Sequence, residues 1–232
     1  MKAILLAAGR GTRISRYVGE KPKCTLDIGG VSLIRHTVEL LTKNHIEVTV
    51  VIGYKKEMII NSLEGIFVKY YYNPFFDITN SLASLWFAKK ELSGDDVIIA
   101  NADVFWEQDV LDIALTDEKE QVMLMDTSKH LDYLFKSENN KLIAFGKDLT
   151  DYTGEYIGMA KIRNTFLNRF IGRMESLIGN QQHGLWWENV LYSFINELDI
   201  YTQDIKGKFW SEIDFIEDYN RIVDYRKAKG KN

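Results

Sequence analysis

Between residues 2 and 116 the chain alternates short aliphatic or β-branched runs with stretches of helical periodicity, and this alternation restricts the possible folds most. "KAILLAA" is a continuous strand-type apolar run, "SLIRHTVELLTKN" spaces its apolar residues as a helix does, and "EVTVVIG" returns to β-branched strand character. Strand, helix and strand in that order make a βαβ unit. The pattern continues with helix "EMIINSLEG", strand "FVKYYY", helix "SLASLWFAKKEL", strand "DVIIANAD" and helix "DVLDIALTD". Buried strands separated by helices predict an α/β fold with a doubly wound sheet.

The texture changes after residue 116. "QVMLMD", "YLFKSENNKLIAFG" and "EYIGMAKI" read as closely spaced strands, with Asn139-Asn140 as a hairpin turn, so the second half adds antiparallel character. Helices "NTFLNRFIGRMESL" and "WWENVLYSFINEL", the strand "DIYTQDI" and a helix from about Asp214 to Lys227 follow. No Pro/Gly/Ser-rich linker and no internal repeat divides the halves, so residues 1–232 are expected to form a single domain whose 117–232 portion is lid-like.

Charge narrows the partners. With 29 Lys and Arg against 33 Asp and Glu, the net charge of -4 gives no field suited to a nucleic acid, though a local cationic cluster can still hold a small anion. The lone Cys24 excludes an intrachain disulfide and a thiolate-rich zinc site and fits a reducing compartment, with the cytoplasm as the expectation. No segment reaches the ~20 apolar residues that span a bilayer, so no membrane insertion is expected.

The loop after the first strand holds such a cluster. In "LLAAGRGTRISRYVGEKPK", Gly9 and Gly11 are followed by Arg13, Arg16, Lys21 and Lys23. In an open α/β sheet ligands bind beyond the carboxyl ends of the strands, and glycines let backbone N–H groups approach phosphate oxygens. The residues alone also fit a glycine turn with a solvated basic loop. The G-x-x-x-x-G-K-[ST] phosphate loop is absent, and Ile14 stands where a dinucleotide fingerprint has its third glycine.

Two acids could complement this loop. Asp103 follows the strand "DVIIANAD", as a turn residue or as a carboxylate delivered to the same sheet edge; Asp214, in "FWSEIDFIEDY", reads as a helix N-cap or a metal ligand. Asn80 and Ser81 are N-cap types for the helix they precede. Trp186 and Trp187, in "HGLWWENVLY", fit core packing or a cation held over an aromatic face, with Glu188 adding a charge; Tyr156 and Asp132 could serve the same end.

The string "LAAGRGTR" with the downstream "KPK" resembles the nucleotidyltransferase family that activates sugar phosphates and phosphoalcohols. The short length, the N-x-x-x-S-L and W-[DE]-N segments and the E-I-D ending are most similar to the phosphocholine cytidylyltransferases and their aminophosphonate-using relatives. The resemblance implies a Rossmann-like three-layer α/β/α fold of the nucleotide-diphospho-sugar transferase type, with a mixed, mostly parallel sheet and residues 1–116 as the nucleotide-binding half. It implies CTP as donor, a small zwitterionic phosphate or phosphonate as acceptor, and Mg²⁺ as cofactor. By position it assigns Leu6, Ala7, Ala8, Gly9, Gly11, Thr12, Asn80, Ser84 and Ala102 to the nucleotide, Arg13 and Lys23 to phosphoryl transfer, Asp103 and Asp214 to the metal, and Tyr156, Trp186, Trp187, Glu188 and Asp132 to the acceptor. The P-x-T that sugar-1-phosphate enzymes carry after "GTR" is missing, which ranks UTP- or dTTP-dependent sugar activation second. A nucleotide sensor without turnover is the reading from another class.

Overall fold

The computed structural model describes residues 1–11, 13–128 and 133–230. In chain order the strands are β1 Lys2–Ala7, β2 Glu47–Ile52, β3 Lys69–Tyr72, β4 Val97–Asn101, β5 Val104–Trp106, β6 Gln121–Asp126, β7 Leu134–Glu138, β8 Lys141–Gly146, β9 Gly154–Ile162, β10 Tyr201–Asp204 and β11 Trp210–Glu212. The α-helices are α1 Ser15–Val18, α2 Leu33–Lys43, α3 Lys56–Ser62, α4 Ser81–Phe87, α5 Gln108–Thr116, α6 Asn164–Gly179, α7 Asn189–Tyr192 and α8 Ile216–Lys229. Among them, no helix is long and apolar enough to cross a membrane.

One mixed sheet runs through both halves of the chain in the order β3-β2-β1-β4-β9-β6-β10-β8-β7. Parallel pairing is confined to β3-β2-β1-β4 and to β6–β10; β9 runs antiparallel between β4 and β6, and the β7–β8 hairpin closes the far edge. The sheet is therefore less parallel than expected, because β9 enters its middle from the second half. Asn139 and Asn140 adopt φ of 51° and 60°, the left-handed pair that a two-residue hairpin turn requires.

Strand alternation sorts the core into two layers. Ala3, Leu5, Val48 and Val50 face α2, α3 and α5 through Ile34, Val38, Ile59 and Val110. Ile4, Leu6 and Val51 face α4, α6 and α7 through Leu82, Leu85, Phe166, Phe170 and Val190. Side chains at a period of two thus give each face of the sheet its own helical layer. A third cluster, Ile14, Leu26, Ile28, Phe105, Ile213 and Ile222, packs the segment after the glycine loop against α8.

Two expected helices differ. The helix predicted over "WWENVLYSFINEL" is reduced to the four residues of α7, followed by i→i+3 turns in which Phe194 N bonds Leu191 O and Ile195 N bonds Tyr192 O. Val190, Leu191 and Tyr192 within α7 are buried in succession, so this short helix is enclosed on more than the single face that the spacing suggested. The last helix starts at Ile216 rather than at Asp214, with Phe215 as its N-cap residue.

Candidate active site

The carboxyl ends of β1 and β4 open into a cleft of about 390 Å³ that most of the predicted residues line. Leu6, Ala7, Ala8, Gly9, Gly11 and Arg13 come from β1 and its loop, and Ala102 and Asp103 from the turn after β4. Asn80 and Ser84 come from the start of α4. Tyr156, Trp186 and Glu188 lie on β9 and before α7. Thr12 and Asp132 lie outside the described residues.

The glycine loop is shaped around a lysine. Gly11 has φ +61°, and a Cβ there would stand 2.6 Å from Lys23 Cγ, so only glycine lets the Lys23 side chain pass beneath the loop. A Cβ at Gly9 would meet no atom, leaving its surface open to a ligand.

Lys23 Nζ lies 2.5 Å from Asp214 Oδ1 and 3.2 Å from Asp103 Oδ2, and Arg13 pairs with Asp214 Oδ2 from the solvent side. Burial by itself would lower the Lys23 pKa, but Asp103 and Asp214 together outweigh it and hold the group above the ordinary lysine range. Cys24, next in sequence, is pushed up to about 12, first by burial and then by Asp103, and is an inert thiol at neutral pH.

The two acids meet because β5 and β11 form a separate antiparallel ribbon, with Trp210 opposite Trp106 and Glu212 opposite Val104. Asp214 does not cap α8. Asp218 does so instead, its Oδ2 accepting from the N–H groups of Asp214 at 3.1 Å and Phe215 at 2.8 Å, which leaves the Asp214 carboxylate directed at the lysine.

The other end of the cleft is aromatic. Tyr133 stands edge-on to Trp186 at 5.5 Å between centroids and stacks with Tyr192 at 6.0 Å, and Tyr156 stacks on Phe135 at 5.1 Å. Three buried polar atoms there, Tyr156 Oη, Tyr192 Oη and Glu188 Oε2, have no hydrogen-bond partner. Buried polar atoms are ordinarily satisfied, so these three leave the cleft with hydrogen-bonding capacity that its own side chains do not use. Burial pushes the Glu188 carboxyl up to about 7.

Trp187 corrects one expectation. Its ring is fully buried in the core and absent from the cleft wall, and its Nε1 donates to Asn101 Oδ1 at 3.0 Å. That bond turns Asn101 Nδ2 toward Glu188 Oε1, 3.5 Å away, so Trp187 reaches the aromatic end of the cleft only through Asn101. Asn80 keeps its capping duty as well, its Oδ1 accepting from Ser81 N at 2.8 Å.

Sequence reasoning missed Asn101, Tyr133, Tyr192 and Glu212, all of which line the cleft. Glu212 was visible as the first letter of "EID". Its carboxyl is held well above the usual range by burial and then by Asp103 and Asp214, which favours its protonated form.

The donor set also fits a hard divalent ion. Among the described residues no group of three or more His, Cys, Asp or Glu side chains could hold a metal alone. Asp103 and Asp214 nevertheless direct carboxylate oxygens at one cationic atom, Lys23 Nζ, and two carboxylates completed by substrate phosphates are a usual magnesium set.

Comparison with known proteins agrees with this geometry. The family model described as MobA-like NTP transferase domain matches residues 3–166. The chain is 26% identical to choline-phosphate cytidylyltransferase of Streptococcus pneumoniae, covering 98% of this chain and 99% of that protein. It is 27% identical to CTP:phosphoglutamine cytidylyltransferase of Campylobacter jejuni, covering 94% and 97%. Among solved structures, CTP:phosphocholine cytidylyltransferase from Streptococcus pneumoniae superposes with a TM-score of 0.79 at 22% identity, covering 97% of this chain and 98% of that one. The inositol-1-phosphate CTP transferase from T. maritima gives 0.77 at 19% identity, covering 96% and 94%.

Proposed function

Because this chain belongs to the MobA-like NTP transferase family, we propose that it transfers CMP from CTP to a small acceptor bearing a phosphate or phosphonate at one end and an amino or ammonium group at the other. The carrying observation is that one cleft has the Lys23, Arg13, Asp103 and Asp214 cluster at one end and an aromatic cage with Glu188 at the other. Two full-length relatives carry cytidylyltransferase names, which supports CTP as the donor.

In the reaction an acceptor oxygen attacks the α-phosphorus of CTP, the bond from that phosphorus to the bridging oxygen breaks, and pyrophosphate leaves with the electron pair. The acceptor oxygen is already anionic, so this transfer needs positioning and charge stabilisation rather than a protein nucleophile. The glycine loop offers backbone to the triphosphate, Arg13 and Lys23 offset its charge, and Ser84 and Asn80 face the base. Asp103 and Asp214 would hold Mg²⁺, which when bound neutralises charge on the phosphate oxygens. Trp186, Tyr133 and Tyr156 present ring faces to the acceptor's cation and Glu188 supplies the opposite charge; a cation over such rings gains about 0.5–2 kcal/mol.

The test is a pyrophosphate-release screen crossing four nucleoside triphosphates with phosphocholine, phosphoethanolamine, 2-aminoethylphosphonate and glucose 1-phosphate. Release with CTP and a zwitterionic acceptor, lost in Asp103→Asn, supports the reading. Release only with UTP or dTTP and glucose 1-phosphate, or nucleotide binding with no release at all, overturns it.

A further inference from the structure

Asn73, the residue after β3, is fully buried, and every polar atom of its side chain is engaged. Its Oδ1 accepts from Phe75 N at 2.9 Å, which fixes the orientation of the amide, since an N–H cannot face an NH₂. Nδ2 must therefore donate to two hydroxyls, Thr79 Oγ1 at 3.1 Å and Ser84 Oγ at 3.0 Å. Thr79 commits its own proton to Phe75 O at 2.7 Å. Ser84, buried on α4 and lining the cleft, accepts from Asn73, and among the described residues no acceptor takes its hydroxyl proton.

Resting on the CTP reading above, we infer that Asn73 is a positioning residue that sets pyrimidine choice by presenting Ser84 as a hydrogen-bond donor to N3 of the base. Cytosine carries a lone pair at N3, whereas uracil carries an N–H. The second lone pair of Ser84 could accept that N–H only by leaving the hydroxyl proton unpartnered in a buried place. Sites built on one hydrogen-bond polarity discriminate strongly because the wrong ligand leaves such a group unsatisfied.

The test compares kcat/KM for CTP and UTP with the best acceptor, alongside calorimetric Kd values for both nucleotides. Asn73→Asp keeps an acceptor for Phe75 N, but its second oxygen takes the Ser84 proton and turns a lone pair toward the base. The CTP-over-UTP ratio is expected to fall by roughly tenfold or more, with UTP gaining as CTP loses, which is the size of effect of one hydrogen bond reversed. Ser84→Ala introduces no buried charge and should bring the ratio close to one even if the Asp variant folds poorly. A purely structural role would weaken both nucleotides equally. An unchanged ratio in Ser84→Ala, or in a folded Asn73→Asp, overturns the inference while leaving the transferase reading intact. Wild type that binds CTP over UTP without releasing pyrophosphate would sink only the transferase reading, and the Kd ratios of the two variants would still decide the role of Asn73. Wild type that does not discriminate sinks the inference directly.

Discussion

The backbone N–H of Ile213 donates to the carbonyl of Asp103 at 3.0 Å, continuing the β5–β11 ribbon one step beyond the Glu212–Val104 pair. That step sets Asp214 beside Asp103, and Lys23 then bridges both.

Asp218 holds this arrangement from behind. Asp218→Ala removes the acceptor for two N–H groups and should cost about 1 kcal/mol, or roughly 2–4 °C in Tm for a chain of this length. Because it also frees the backbone that aims Asp214, kcat/KM for pyrophosphate release should fall further than the stability change explains. Asp218→Asn, which keeps an acceptor oxygen, should recover most of both; equal losses in the two variants would dismiss the capping role.

Lys23→Met keeps an unbranched chain beneath Gly11 but removes the charge that the two acids surround. The rate of pyrophosphate release should drop by roughly 10²–10³, the usual loss for one donor aimed at developing charge. In the absence of nucleotide, added Mg²⁺ should raise the Tm of this variant more than that of wild type, since Asp103 and Asp214 then lack their internal cation. A thermal-shift titration reads this directly.

Glu188 links acceptor binding to pH. Its folded pKa, raised to about 7 by burial, exceeds its ordinary 4.5, with Asn101 donating to it and Asp103 adding repulsion. Below 4.5 folded and unfolded chains both carry the proton. As pH rises from 4.5 toward 7 the unfolded chain loses it first, so stability falls and then levels off. Glu188→Gln should therefore be more stable than wild type by a small margin at pH 5 and by on the order of 3 kcal/mol at pH 8. A cationic acceptor needs the ionised form. Its KM should decrease as pH rises through about 7 in wild type and stay flat in the Gln variant, while the KM for CTP stays the same in both.

Gly158 combines φ +75° with a wall position in the cleft, and a Cβ there would stand 3.1 Å from Asn101 Nδ2. Gly158→Ala should cost about 1–2 kcal/mol. By displacing Asn101 from Glu188 it should raise the acceptor KM more than the CTP KM, a split that steady-state kinetics would show.

The long elements and the nucleotide end were legible because they depend on local pattern. β1, α2, β2 and α6 follow their hydrophobic periods, and the glycine loop, Lys23, Asp103 and Asp214 lie where a motif and the sheet edge put them. The ribbon was not legible, since "VFW" and "WSE" are three-residue strands with no period to detect. The cage was legible only in part. Tyr133 meets both Trp186 and Tyr192 from a distant part of the chain, and the tight turns after Tyr192 replace the regular helix that the spacing suggested. The two adjacent tryptophans had equal standing in the sequence, and only packing separates the cleft-facing Trp186 from the buried Trp187.

The β5–β11 ribbon also gives the protein a schedule. During synthesis the glycine loop, Lys23 and Asp103 emerge well before residues 210–214, so a nascent chain can shape its first four parallel strands yet lacks the second carboxylate. The carboxylate pair around Lys23 is therefore completed in one step, when the late strand zips onto the earlier one.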